Sequence, residues 1–354
     1  MDWHLIIPGL EHCKAEPNCE RLKNTLLRRE VPTRVPFMEL YQDEEIRAAI
    51  LGRSLCIIED LAELQLRLGY DTIPFRMSPS FKMARREAED PAQLKRLQRS
   101  WVVESQGVIQ SSEDFENYLW PEVDQTIFAR LDSAQRVLPE GMGITLQTSG
   151  VFENLLRLMS YQGLSEALYD SPQLVRKVAD RIGDLLVRTY LQGIDCEKVI
   201  GAFYGDDMGF KTSTIISPEH LRTYILPWQR KIAHICHERG KIMVLHSCGN
   251  VEAVMEDLIS FVGIDAKHSF EDAIEPVRLI KRRYGNRIGV VGGIDMDFLA
   301  RQSVAEVATN TRRVLEECAP GGGYALGSGN SVANYVPVAN YFAMLREGWT
   351  FRLV

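Results

Sequence analysis

The chain has 354 residues, 45% of them hydrophobic and 25% charged, and its 41 Lys and Arg against 48 Asp and Glu give a formal charge of -7. That is an ordinary soluble composition, long enough for two average domains or one large α/β barrel. The acidity argues against a binder of phosphate backbones, and no uncharged apolar run of about 18 residues marks a membrane span. Seven dispersed cysteines, an odd number, and an N-terminus without a basic-then-apolar leader predict reduced thiols in a cytoplasmic protein.

In chain order, residues 1–31 read as an N-terminal extension. Its His12, Cys13 and Cys19 can be read as a metal knuckle, but they lack a partner pair and fit a packed segment better. Eight short apolar runs then predict strands at Val35–Leu40, Asp71–Phe75, Gly143–Gln147, Lys198–Tyr204, Lys241–Leu245, Gly263–Lys267, Arg287–Val291 and Gly323–Leu326. Helical spacing lies between them. Pro172–Leu191 recurs at threes and fours, and Ser217-Pro218-Glu219 is an N-cap with Pro at the first helical position. That second helix breaks at Pro227 and ends before Gly240; a third starts near Asn250, and a fourth covers Ser303–Glu317. Cys56 and Cys318 read as core or near-core thiols.

Eight strand–helix alternations predict a single (β/α)8 TIM barrel of α/β class over residues 1–354. No strand runs into a G-x-G-x-x-G turn, and Gly321–Gly329 lacks the Lys-Ser/Thr of a P-loop. Residues 78–121 exceed one barrel connection and form an inserted segment, with Gln106-Gly107 as a hairpin turn. The insertion reads either as a lid over the mouth or as a plain excursion or homodimer contact.

A barrel puts its chemistry at the C-terminal strand ends. There stand Glu39 and Tyr41, Arg76 and Ser78, Gln147 and Ser149, Tyr204 with Asp206 and Asp207, His246 and Cys248, His268, Asp295, and Ser328 and Asn330. The sharpest pattern is His246-Ser-Cys248. Residues two apart in an extended chain face one side, so an imidazole and a thiol meet one point, a pair that suits zinc better than magnesium. The plainer reading is polar pocket lining. Asp206 and Asp207 read as metal ligands, as an acid with a raised pKa, or as a loop cap.

These stretches resemble the uroporphyrinogen decarboxylase superfamily. The likeness rests on Arg34-Val-Pro-Phe-Met-Glu-Leu, Gly205-Asp-Asp-Met-Gly, Ile216-Ser-Pro-Glu, His246-Ser-Cys-Gly-Asn, Gly292-Gly-Ile-Asp and Gly323-Tyr-Ala-Leu-Gly-Ser-Gly-Asn. It implies a (β/α)8 fold and one of two activities: cofactor-free decarboxylation of a tetrapyrrole, or zinc-assisted methyl transfer to or from a corrinoid protein. The decarboxylases' Arg-rich motif is the acidic Glu39-Leu-Tyr-Gln-Asp43 here, and the histidine of their late motif is Ser328. The acids gathered at the mouth make a polyanionic substrate the poorer expectation. The thiol-methylating branch pairs H-x-C with a distant Cys, whose position is Asn330 here; either Asp206, Asp207 or Glu39 replaces that ligand or the metal is absent.

The expected protein is a methyltransferase working between a small methylated substrate, such as an aryl methyl ether, or a thiol, and a corrinoid supplied by a partner protein. Zinc sits on His246 and Cys248; Asp206, Asp207 and Tyr204 are catalytic; and Glu39, Arg76, Gln147, His268, Ser328 and Asn330 bind substrate. A tetrapyrrole decarboxylase and a non-catalytic corrinoid- or substrate-binding barrel are the alternatives. Nucleic acid and membrane are not expected partners.

Overall fold

A computed structural model describes residues 3–83, 85–89, 98–102 and 107–353. Strand β1 (Thr72–Arg76) is followed by an antiparallel ribbon of β2 (Arg85–Glu89) and β3 (Gln98–Val102). Then come β4 (Gly143–Ser149), β5 (Val199–Gly205), β6 (Ile242–His246), β7 (Ala266–His268), β8 (Gly289–Val291) and β9 (Tyr324–Ala325). All except the ribbon join one curled parallel sheet, in the order β1-β4-β5-β6-β7-β8-β9. Strands taken in sequence order with helical crossovers make this a barrel of the (β/α)8 type.

The first predicted strand, Val35–Leu40, differs from expectation. It is held to Leu326, the residue after β9, by one isolated parallel bridge from Phe37, with Met38 N donating to Leu326 O and Leu326 N to Pro36 O, each at 2.9 Å. The reason lies in two prolines. Gly143 N donates to Asp71 O and Met77 N to Gln147 O, so odd-numbered residues here serve β4. Pro74 has the other parity and turns a nitrogen without a hydrogen to the opposite edge, where Val35–Leu40 would pair, and Pro36 lacks its donor too. The stave is present in the wall but does not form a ladder.

The ribbon pairs Arg85 with Val102 and Glu89 with Gln98, and the turn expected at Gln106-Gly107 includes Gln106, which lies outside the described residues.

The N-terminal extension closes the barrel floor. Asn18 caps the helix Cys19–Leu26 by accepting from Arg21 N, and this helix sends Leu22 and Leu26 inward. They pack with Ile200, Ile242, Ala266, Val291 and Ala325, all buried. Burying two leucines contributes about 2 kcal/mol each by area. Beside them Arg21 and Arg34 meet the buried Asp71. His12 is exposed and Cys19 packs against Gly143, so the knuckle does not form.

The other helices follow their signals. Pro172–Gly193 is one helix; Ser217 caps Pro218–Tyr224; and the chain restarts at Leu226–Glu238 with Pro227 in the first turn. Ser303 and Glu306 form a capping box for Val304–Cys318. Cys56, expected near the core, is exposed, and all seven cysteines are free thiols. Among the described residues no helix is long and apolar enough to cross a membrane.

Candidate metal centre

Alternation along β6 turns His246 to the barrel interior, and the strand then opens into Ser247-Cys248-Gly249. Gly249 has φ +74°, a left-handed turn, and a Cβ there would stand 2.3 Å from the Gly209 carbonyl carbon. That close approach lets the β5 and β6 loops be stitched together. Cys248 N donates to Asp207 Oδ1 at 2.8 Å, Met208 N to Ser247 Oγ at 3.1 Å and Asn250 N to Phe210 O at 2.7 Å. The ligand atoms of Asp207, His246 and Cys248 consequently lie within 4.8 Å of one another, and among the described residues they are the one such group.

The neighbouring acid goes elsewhere. Asp206 is fully buried on the helix side of β5, where Oδ1 accepts from Glu153 N at 2.9 Å and Oδ2 from Gln229 Nε2 at 3.0 Å. It therefore caps the helix Val151–Met159 across a tight contact with Gly150, whose added Cβ would stand 2.1 Å from Asp206 Cγ. Burial pushes its carboxyl up to about 7. For Asp207 burial acts upward as well, but His246 and the Cys248 N–H outweigh it and hold that carboxyl at about 2. Two consecutive acids thus divide into a cap and a member of the donor cluster.

The protons on the two histidines follow from their partners. His268 Nε2 lies 3.2 Å from the Ser328 carbonyl, which only accepts, so Nε2–H must donate. Burial keeps His268 well below its usual value and neutral, leaving Nδ1 bare. His246 Nδ1, at 2.8 Å, therefore donates to it. The bare face of a neutral His246 is then Nε2, which lies 3.4 Å from both Asp207 Oδ1 and Cys248 Sγ. Nε2 can accept the Cys248 S–H, carry a proton toward Asp207, or join Asp207 and Cys248 around a metal ion. A carboxylate, an imidazole and a thiol form a donor set that fits zinc, with positions left for other ligands.

The thiol is dressed for such a role. Asn330 Nδ2 donates to Cys248 Sγ at 2.9 Å and Ser269 Oγ donates to it at 3.5 Å. Ser269 holds φ +81°, a strained conformation for a residue with a side chain. Burial and the charge of Asp207 nonetheless push the Cys248 thiol up to about 12. The fully buried Lys267 ammonium clasps the carbonyls of Ser247, His268 and Ser269 at 3.1, 3.3 and 2.8 Å, tying together the loops that carry Cys248 and Ser269. Its burial brings it down to about 8.

A cavity of about 250 Å³ opens above this cluster, lined by Asp207, His246, Asn330, Arg76, Gln147, Tyr41, Phe203, Ser78 and Ser149. Of the predicted site residues, Asp207, His246, Cys248 and Asn330 come together, and Arg76 and Gln147 face the same cavity. The rest are placed differently. Tyr204 is buried toward the helices, its hydroxyl accepting from Val151 N at 2.9 Å. His268 stands behind His246, and Ser328 N–H donates to the buried Glu39 carboxyl at 3.1 Å. Glu39 is therefore neither a ligand nor a wall of the cavity; burial pushes it up to about 8 against the Ser328 hydrogen bonds. Asp295 caps the helix Met296–Arg301. With Glu39 and Asp206 withdrawn, the acidic mouth expected from sequence is not there.

The structure adds Glu153, Arg157 and Ser269, which sequence reasoning missed. Glu153 and Arg157 line the cavity as an i, i+4 pair on the helix that follows β4, a spacing visible in the sequence. Ser269 carried no signal.

The uroporphyrinogen decarboxylase (URO-D) family model matches residues 104–348, well over half of the chain. No curated protein sequence matches it. Among solved structures, it resembles a methyltransferase from Methanosarcina mazei, with a TM-score of 0.70 at 16% identity over 94% of this chain and 98% of that one. A B12-independent methionine synthase from Shewanella sp. W3-18-1 has a TM-score of 0.50 at 11% identity, covering 91% of this chain and 96% of that one. At such identities the likeness is one of fold. The family match covers β4 to β9 and all three residues of the donor cluster, and on it this chain belongs to the uroporphyrinogen decarboxylase family.

Proposed function

We propose that this protein is a methyltransferase that moves a methyl group between a small methylated substrate and a corrinoid carried by a separate protein. A zinc ion held by Asp207, His246 and Cys248 serves the reaction. The observation that carries this reading is the convergence of three potential metal donors within 4.8 Å, two of which, Asp207 and His246, line a small cavity. The fold likeness to a methyltransferase from Methanosarcina mazei supports the reaction class.

Zinc bound there supplies Lewis acidity to the heteroatom that carries the methyl group. The chain's own residues do the rest. His268 fixes the tautomer that bares His246 Nε2, while Asn330 and Ser269 hold the Cys248 sulfur in place and favour its thiolate. Gln147, tied to Leu40 O at 2.7 Å, and Tyr41 shape the wall that positions substrate. Tyr204 and Asp206 take no part beyond supporting β5. A tetrapyrrole is far larger than a cavity of about 250 Å³, which speaks against the decarboxylation alternative.

The test is metal analysis combined with methyl transfer to free cob(I)alamin, followed by cobalt absorbance across methyl ethers, methylamines and thioethers. The expected result is about one zinc per chain. His246→Ala and Cys248→Ala should lose that zinc and at least about 100-fold of the transfer rate, since the Lewis acid is worth several kcal/mol. Protein that stays free of zinc when the ion is supplied, or variants that transfer as fast as the parent, would overturn the reading.

A further inference from the structure

The cavity holds four charged side chains, and three of them are spoken for. Arg157 Nη2 donates to Glu153 Oε2 at 3.2 Å, and Asp207 belongs to the donor cluster. With a divalent ion on the cluster, the Asp207 carboxylate and a Cys248 thiolate neutralise it, and the Arg157–Glu153 pair cancels. Arg76 remains. It ends β1, is exposed, lines the cavity, and has no acidic partner among the described residues.

Its position gives the charge a direction. Arg76 is in register with Gln147 on β4, and Gln147 with Phe203 on β5. His246 stands on the next strand, so Arg76 and the metal centre are separated by three ladder steps of about 4.8 Å each across the mouth. Phe203 lies between them and offers an apolar face.

We propose that the methyl-bearing substrate is a small monoanion, and that Arg76 binds its single carboxylate at the wall facing the metal centre. The planar guanidinium fork matches a carboxylate with two parallel hydrogen bonds. One uncompensated cation calls for one anionic group, and the cavity size limits the body between the two ends to something like one aromatic ring. Arg76 is then a specificity residue, distant from the bond that breaks. The proposal rests on the reading that this cavity takes the methylated substrate.

Calorimetric binding of two probes alike in shape tests it without turnover: 4-methoxybenzoate and neutral 4-methoxybenzyl alcohol, each against zinc-loaded and zinc-free protein. The parent should bind the anion at least about tenfold more tightly in both forms, in line with a charge-assisted hydrogen bond. Arg76→Gln should erase that preference, and Arg76→Lys should keep part of it. Three outcomes overturn the proposal: no saturable binding of the anion, equal binding of both probes, or a preference that survives Arg76→Gln. A preference that survives Arg76→Gln but disappears on removing zinc places the anion on the metal instead. Because binding is read with and without zinc, a failure of methyl transfer leaves this result standing.

Discussion

Single residues here take their roles from which way they face. The His246-x-Cys248 pair was legible because alternation alone aims both side chains at one point, and the structure brings them within 3.4 Å. Asp206 and Asp207 were indistinguishable in the sequence, since either can cap or ligate. What separates them is the helix Val151–Met159, whose free N–H groups claim Asp206, and no local pattern announces that long-range contact. Glu39 and His268 were misplaced for a related reason: both end strands, but neighbouring side chains cover them. Glu39 makes a pH prediction. Burial holds it protonated up to about 8, whereas an unfolded chain releases that proton near 4.5. Between those values the folded state binds the extra proton, so stability falls as pH rises from about 5 to about 8 and levels off above. Denaturant melts of Glu39→Gln should show a flatter slope over that range, with its largest gain over the parent near pH 8. Parallel pH profiles would remove this account of Glu39.

Elements were legible where periodicity and caps agree. Seven of the eight predicted strands appear in the ladder, and the helices start and stop at Ser217, Gly240 and Ser303 as their chemistry demands. The eighth run, Val35–Leu40, has the right apolar pattern, but its pairing depends on the parity of Pro74 relative to β4, which only the register reveals. The helix after β6 shows a similar gap between pattern and form. Its apolar positions recur as expected, yet it runs as 3₁₀, α and π turns in succession from Glu252 to Val262. Asp206 joins β5 to the helix Val151–Met159 and yields a test at this scale. Asp206→Ala removes a cap and leaves the buried Gln229 amide without its acceptor, so unfolding should cost about 2–4 kcal/mol less. Zinc content per folded chain should be unchanged. A variant as stable as the parent would contradict the capping role, and one that loses zinc while folded would place Asp206 in the site after all.

The whole molecule is a barrel closed at one end and chemically armed at the other. The floor is apolar, sealed by Leu22 and Leu26. The mouth gathers the donor cluster, a cavity of about 250 Å³ and one uncompensated arginine. Strand-end placement in the sequence expected an acidic mouth, but a place at a strand end does not say which acids their neighbours cover, and Glu39 and Asp206 are turned away. Asn330 has the same lesson for the ligand set: it stands next to Cys248 as a hydrogen-bond donor to the one sulfur, so the centre should hold a single thiolate. Zinc K-edge X-ray absorption on the zinc-loaded protein reads this directly. The account predicts one sulfur at about 2.3 Å with the remaining nitrogen and oxygen ligands at about 2.0–2.2 Å, and the sulfur shell lost in Cys248→Ala. Two or more sulfurs, or a shell without sulfur in the parent, would contradict it.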